Sequence, residues 1–168
     1  GNMYSPRKSA SMSQDSHSPL SAAWPAGFLS VDMDGLWAIR QCYDQPAENS
    51  FERDAVWEDG ARWLLEAFER RGLRATFFLV ARDLEVDSKR ALAAEIRARG
   101  HEIANHSLNH RIGLTLLPMG RLLDELAAAQ ALFEKRLGFR PAGFRAPGYD
   151  VDARLLRALR RAGFAYDA

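Results

Sequence analysis

The sequence predicts an α/β protein built on a parallel sheet. Short apolar, β-leaning runs alternate with amphipathic helical runs from residue 26 onward. Each helical run closes on a glycine, at Gly72, Gly100, Gly138 and Gly163, where a left-handed residue just past a helix is cheapest without a Cβ. Residues 75–81 are apolar almost throughout, as expected of a strand covered on both faces.

The elements follow in order. Residues 28–34 (FLSVDMD) are the first strand candidate, residues 75–81 the second, residues 101–106 the third and residues 142–147 the fourth. A fifth begins at residues 164–166. Between them, apolar residues recur at helical spacing: Leu64, Leu65 and Phe68; Leu92 and Ile96; Leu122, Leu126, Ala129, Phe133 and Leu137; Leu155, Leu159 and Ala162. Residues 35–49 read as a long loop after the first strand, with Cys42 in it as a bystander thiol. Residues 1–25, rich in Ser with scattered Pro, read as a flexible leader or a cloning remnant, and His17 within them as inert. Residues 26–168 read as one domain or the N-terminal part of one.

Composition excludes several classes. The 168 residues fit a single domain. Lys plus Arg is 23 against 22 for Asp plus Glu, an even balance that leaves no electrostatic footprint for nucleic acid or an anionic membrane. Cys42 is the single cysteine, so neither an intrachain disulfide nor a thiolate zinc cluster can form. No run reaches the ~18–20 apolar residues of a membrane span. With no signal peptide visible, a cytoplasmic location is the default expectation.

In parallel α/β folds, ligand sites lie at the carboxyl ends of the strands. The reactive residues cluster there: Asp32 and Asp34 after the first strand, Asn105, His106 and His110 after the third, and Arg145, Pro147 and Tyr149 after the fourth. Asp32 and Asp34 stand two apart, and on a strand would share a face. Like charges that close call for a cation or a raised pKa. A metal on one carboxylate would leave the other as a base; the plain alternative is a loop cap. His106 and His110 stand four apart, which on a helical turn puts both rings on one face; the alternative is a pair of surface histidines. Ser107 is expected to hydrogen-bond within this loop and fix a ligand ring, and His101 to belong to the strand. Two imidazoles and one carboxylate leave open metal positions, as catalytic sites do, and zinc, iron, cobalt, nickel or manganese suits such a set. Arg145 can pair with a carboxylate base. Pro147 and Gly148 make a tight turn, and a backbone N–H just after it could hold an oxyanion.

In this order, the three motifs resemble those of the NodB-homology polysaccharide deacetylases, carbohydrate esterase family 4. Ser30-Val31-Asp32-Met33-Asp34-Gly35 stands where that family commonly has T-F-D-D-G, and the intervening Met33 resembles its D-x-D branch. His106, Ser107 and His110 match H-[ST]-x-x-H, and Arg145-Ala146-Pro147 matches R-x-P. The resemblance runs from about Phe28 to the end of the chain. It implies a deformed (β/α)7 barrel, here truncated after about four βα units. It implies Asp34, His106 and His110 as ligands of a divalent metal, zinc first. It makes Asp32 the catalytic base and Arg145 its tether, with the backbone near Tyr149 helping to bind the oxyanion. The implied reaction removes N- or O-acetyl groups from a carbohydrate.

The partner implied is a carbohydrate or small amide substrate, with no nucleic acid. A homo-oligomer or a further C-terminal segment would close the barrel. The family's remaining motifs, one of which supplies a His as general acid, would lie beyond Ala168, and no histidine follows His110. Among Trp37, Trp57 and Trp63, core packing or loop anchoring is the first reading, and Trp37 is the best candidate for stacking on a sugar. The rivals are a deformylase or cyclic-imide hydrolase of the same superfamily, and an inactive fragment or metal/glycan-binding module. A two-His-one-carboxylate iron oxygenase is opposed by the helix–glycine–strand grammar.

Overall fold

Five strands lie parallel in chain order: β1 (Ser30–Met33), β2 (Thr76–Leu79), β3 (Glu102–Asn105), β4 (Gly143–Phe144) and β5 (Tyr166–Asp167). They are seen in a computed structural model that describes residues 27–46 and 51–168. The expected leader, His17 and residues 47–50 lie outside the described residues. Each strand pairs with its successor, the order of a barrel wall rather than of a sheet with a switch point. The register sets Asp32 level with Phe78 and Ala104, and Met33 level with Leu79 and Asn105. The strands therefore end at one height, and the loops that follow them share one rim.

The helices are α1 (Leu36–Cys42), α2 (Arg62–Glu69), α3 (Asp87–Ala98), α4 (Met119–Leu137) and α5 (Ala153–Arg161). Their apolar stripes meet the sheet as the spacing predicts. Leu65, Leu92, Ile96 and Phe133 pack with Phe77, Leu79, Met33 and Ile103. Leu122, Leu126, Leu155 and Leu159 gather around Phe144 and Phe164. The terminal glycines at 72, 100, 138 and 163 all have positive φ, between 62° and 84°. The other face of β2 is buried as well: Phe78 lies under the Arg145 guanidinium and beside His106. The same face turns polar toward the strand starts, where Thr76 Oγ1 and Tyr166 OH both donate to the Glu102 carboxylate, at 2.7 and 2.8 Å.

The expected long loop is corrected in part. Residues 36–42 form α1, and Trp37 and Ala38 are buried on it. A seven-residue helix is marginal alone; its packing holds it, with Trp37 set edge-on to Phe51. A π-helical segment, Val56–Ala61, then runs directly into α2.

Candidate metal centre

Asp34 is the first residue after β1, and His106 the first after β3. His110 comes back to meet them. The two imidazole centroids lie 5.2 Å apart, and each Nε2 stands 3.2 Å from Asp34 Oδ1. The three ligand atoms fall within 4.8 Å of one another.

The loop that achieves this is not the expected helical turn. Ser107 and His110 take positive φ, 71° and 52°. Bonds to neighbouring segments replace helical ones. The Ser107 and Leu108 carbonyls accept from the N–H groups of Ala81 and Arg82, both at 3.0 Å, and Asn105 Oδ1 accepts from the Ser107 N–H at 2.8 Å. Such strained backbone persists where its surroundings over-determine it. The Ser107 hydroxyl, expected to fix a ring, is buried without a hydrogen-bond partner. Other groups face the rings. The Arg145 carbonyl lies 2.8 Å from His106 Nδ1, and Cys42 Sγ lies 3.7 Å from His110 Nδ1. Cys42 is therefore no bystander, because α1 carries it to the site. Desolvation, and then the Asp34 carboxylate, push its thiol pKa up, so it faces the ring as a neutral thiol.

The residues fit a bound cation. A carbonyl only accepts, so His106 Nδ1 carries a proton, and in the neutral ring Nε2 turns a lone pair toward Asp34 Oδ1. Two acceptors face each other there. Asp34 Oδ1 and His110 Nε2 are both buried without a hydrogen bond, which native structures seldom leave unexplained. A metal ion between them would satisfy all three.

Asp32 stands beside this centre as a carboxylate held by its own cation. Arg145 Nη1 donates to Asp32 Oδ1 at 2.5 Å, and Nη2 donates to Ser30 Oγ at 3.0 Å. The guanidinium lies 4.0 Å from the Phe78 centroid. The Tyr149 hydroxyl donates to Asp32 Oδ2 at 3.3 Å. The expected oxyanion donor at Tyr149 needs correction. Its N–H already donates to the Ala146 carbonyl at 2.9 Å, closing the Pro147–Gly148 turn. The side chain, not this N–H, is what Tyr149 offers the site.

The aromatic expectations divide. Trp37 is buried and donates its indole N–H to Asp83 at 2.8 Å, so it offers no face to a sugar. Trp57 is buried too, while Trp63 is exposed. His101 stays out of the site, as expected. It packs against Phe68 and Phe77, and its Nδ1 accepts the Ala75 N–H.

Sequence reasoning missed a buried ion cluster of Asp54, Asp83 and Lys89. Burial pushes the Asp83 pKa up even against the Lys89 charge. The signal was present: Lys89 falls on the Leu92–Ile96 stripe of α3, where an apolar residue belongs.

The fold and site together define an α/β barrel-type protein with a candidate mononuclear metal centre at the carboxyl ends of its strands. The chain belongs to the polysaccharide deacetylase family, which matches residues 50–166. That span includes the His106–His110 loop and Arg145 but not Asp32 and Asp34. A peptidoglycan deacetylase-like protein of Gibberella zeae is 34% identical over 110 residues, 64% of this chain and 32% of that protein. The solved structure of a family 4 carbohydrate esterase from Streptomyces lividans, in complex with acetate, is 26% identical with a TM-score of 0.57, over 65% of this chain and 55% of that one. A Mycobacterium smegmatis protein assigned to the polysaccharide deacetylases shares the fold over 86% of this chain and 52% of its own, with a TM-score of 0.70 and 21% identity. The chain thus spans about half of these solved structures and a quarter to a third of the curated relatives it matches.

Proposed function

We propose that this chain carries the metal-binding half of a hydrolase that removes acetyl groups from an acetylated carbohydrate, with zinc as the first candidate metal. One observation carries the reading: Asp34, His106 and His110 converge beside a second carboxylate, Asp32, that Arg145 holds. The acetate in the Streptomyces lividans esterase and the peptidoglycan deacetylase-like relative support the acetyl group and the glycan.

A metal held by Asp34, His106 and His110 would supply Lewis acidity to the acetyl carbonyl and to the attacking water. The remaining chemistry falls to the chain's own residues. Asp32 takes the water's proton as general base. Arg145 aims Asp32 through a charge-assisted hydrogen bond to Oδ1 while its other arm holds Ser30. The Tyr149 hydroxyl on Oδ2 leaves Oδ1 and Oδ2 inequivalent and limits rotation of the carboxylate. Water adds to the carbonyl, the C–N or C–O bond breaks, and acetate leaves with an amine or alcohol that takes up the proton.

The test is acetate release by the zinc-loaded chain from N-acetylated and O-acetylated sugar oligomers, run beside formamido sugars and cyclic imides. The expected result is acetate, lost in Asp32→Asn with zinc retained. Formate or imide hydrolysis instead would assign the rival hydrolase chemistry. Zinc binding without turnover on any substrate would contradict catalysis by this chain.

A further inference from the structure

We infer that the buried Asp54–Lys89–Asp83 cluster positions both halves of the metal centre and so sets its affinity for metal. The inference rests on the metal reading given above.

All three side chains are buried, at 2% exposure or less. Lys89 Nζ lies 3.1 Å from Asp54 Oδ2 and 2.6 Å from Asp83 Oδ1. On one side, Asp54 grips the backbone that follows Asp34. Its Oδ2 accepts the Leu36 N–H at 3.0 Å, and its Oδ1 accepts the Val56 N–H at 3.1 Å. The carboxylate sits so close that a Cβ on Gly35 would stand 2.6 Å from Oδ2. Leu36 is only two residues past the ligand, so this bond sets where the β1 loop turns.

On the other side, Asp83 belongs to the short helical turn Ala81–Glu85. The first two N–H groups of that turn, on Ala81 and Arg82, hold the Ser107 and Leu108 carbonyls. Those carbonyls lie between the two histidines. Trp37 Nε1 also donates to Asp83 Oδ1, tying α1 to the same point. Lys89 thus joins the Asp34 arm to the His106–His110 arm through its two carboxylate partners.

Energetics favour a role beyond stability. Taking three charges out of water is costly, and apolar groups of similar volume often serve a fold equally well or better. A cluster that aims metal ligands through their backbone has a further reason to be ionic. Outer groups of this kind typically change metal affinity 10–100-fold.

The experiment measures zinc affinity by chelator competition, with thermal melting and the cobalt spectrum in parallel. The variants are Asp54→Asn, Trp37→Phe and a control, Leu159→Ala, in the separate core around Phe144. Asp54→Asn keeps shape but leaves one oxygen for the three donors on Leu36, Val56 and Lys89. Its zinc affinity is expected to fall about 10–100-fold, with an altered cobalt spectrum. Trp37→Phe is expected to weaken zinc several-fold, and Leu159→Ala to lower Tm without changing affinity. Affinity within twofold of wild type in Asp54→Asn and Trp37→Phe, whatever their Tm, would overturn the inference. If Asp54→Asn does not fold, Trp37→Phe decides by the same criterion. A wild-type chain that binds no zinc would overturn the metal reading itself.

Discussion

Arg145 serves both halves of the site at once. Its guanidinium donates to Asp32 Oδ1 at 2.5 Å, while its backbone carbonyl lies 2.8 Å from His106 Nδ1. The side chain crosses from β4 to β1 over Phe78, joining residues 113 apart in sequence. The proposed base and a candidate metal ligand are thus placed by the same residue.

This arrangement separates two substitutions. Asp32→Asn should reduce acetate release at least about 100-fold, the usual contribution of a general base, with zinc still bound. Arg145→Lys keeps the carbonyl but loses the planar fork that reaches Asp32 and Ser30 together. It should reduce turnover about tenfold or more on the same scale and leave zinc affinity unchanged. Initial-rate assays with parallel metal analysis check both.

Cys42 makes the second prediction. Its thiol is the group facing Nδ1 of His110, where His106 has a carbonyl, so His110 is the more weakly oriented of the two candidate ligands. Cys42→Ala should weaken zinc binding about tenfold, the low end of what such outer groups contribute, while the fold persists because the side chain is exposed. Chelator competition checks it, and unchanged affinity would make the contact incidental.

His101 supplies a pH dependence. Its Nδ1 accepts a backbone N–H, so the folded chain holds the ring neutral. Burial first, then the charges of Arg74 and Arg99, lower its pKa below the ordinary 6.5. The unfolded chain therefore binds the proton more readily, and stability is highest above about 6.5 and falls as pH drops through the folded value. Tm should decline on acidification below 6.5, and His101→Phe should remove that part of the decline. Melting curves across pH for both proteins decide it.

Much of the fold was legible because its signals are local. The stripes ending at Gly72, Gly100, Gly138 and Gly163 needed only periodicity and a left-handed cap. The ligand candidates were legible because Asp34, His106 and His110 sit at strand ends, where α/β folds place reactive groups. What was missed depends on distant partners. Helix α1 is short and held by the burial of Trp37. The bend at Ser107 is set by N–H groups on Ala81 and Arg82. The Tyr149 N–H is taken by a carbonyl three residues back, which spacing alone does not reveal. Lys89 on an apolar stripe was a visible anomaly, yet its carboxylate partners lie 35 and 6 residues away.

The central claim, that Asp34, His106 and His110 form one metal site beside a separate base, is tested most directly by zinc stoichiometry. Wild-type chain and Asp32→Asn should each bind one zinc tightly, and the double variant His106→Ala/His110→Ala should bind none at the same concentration. A wild-type chain without zinc, or a double variant that binds it undiminished, would contradict the account.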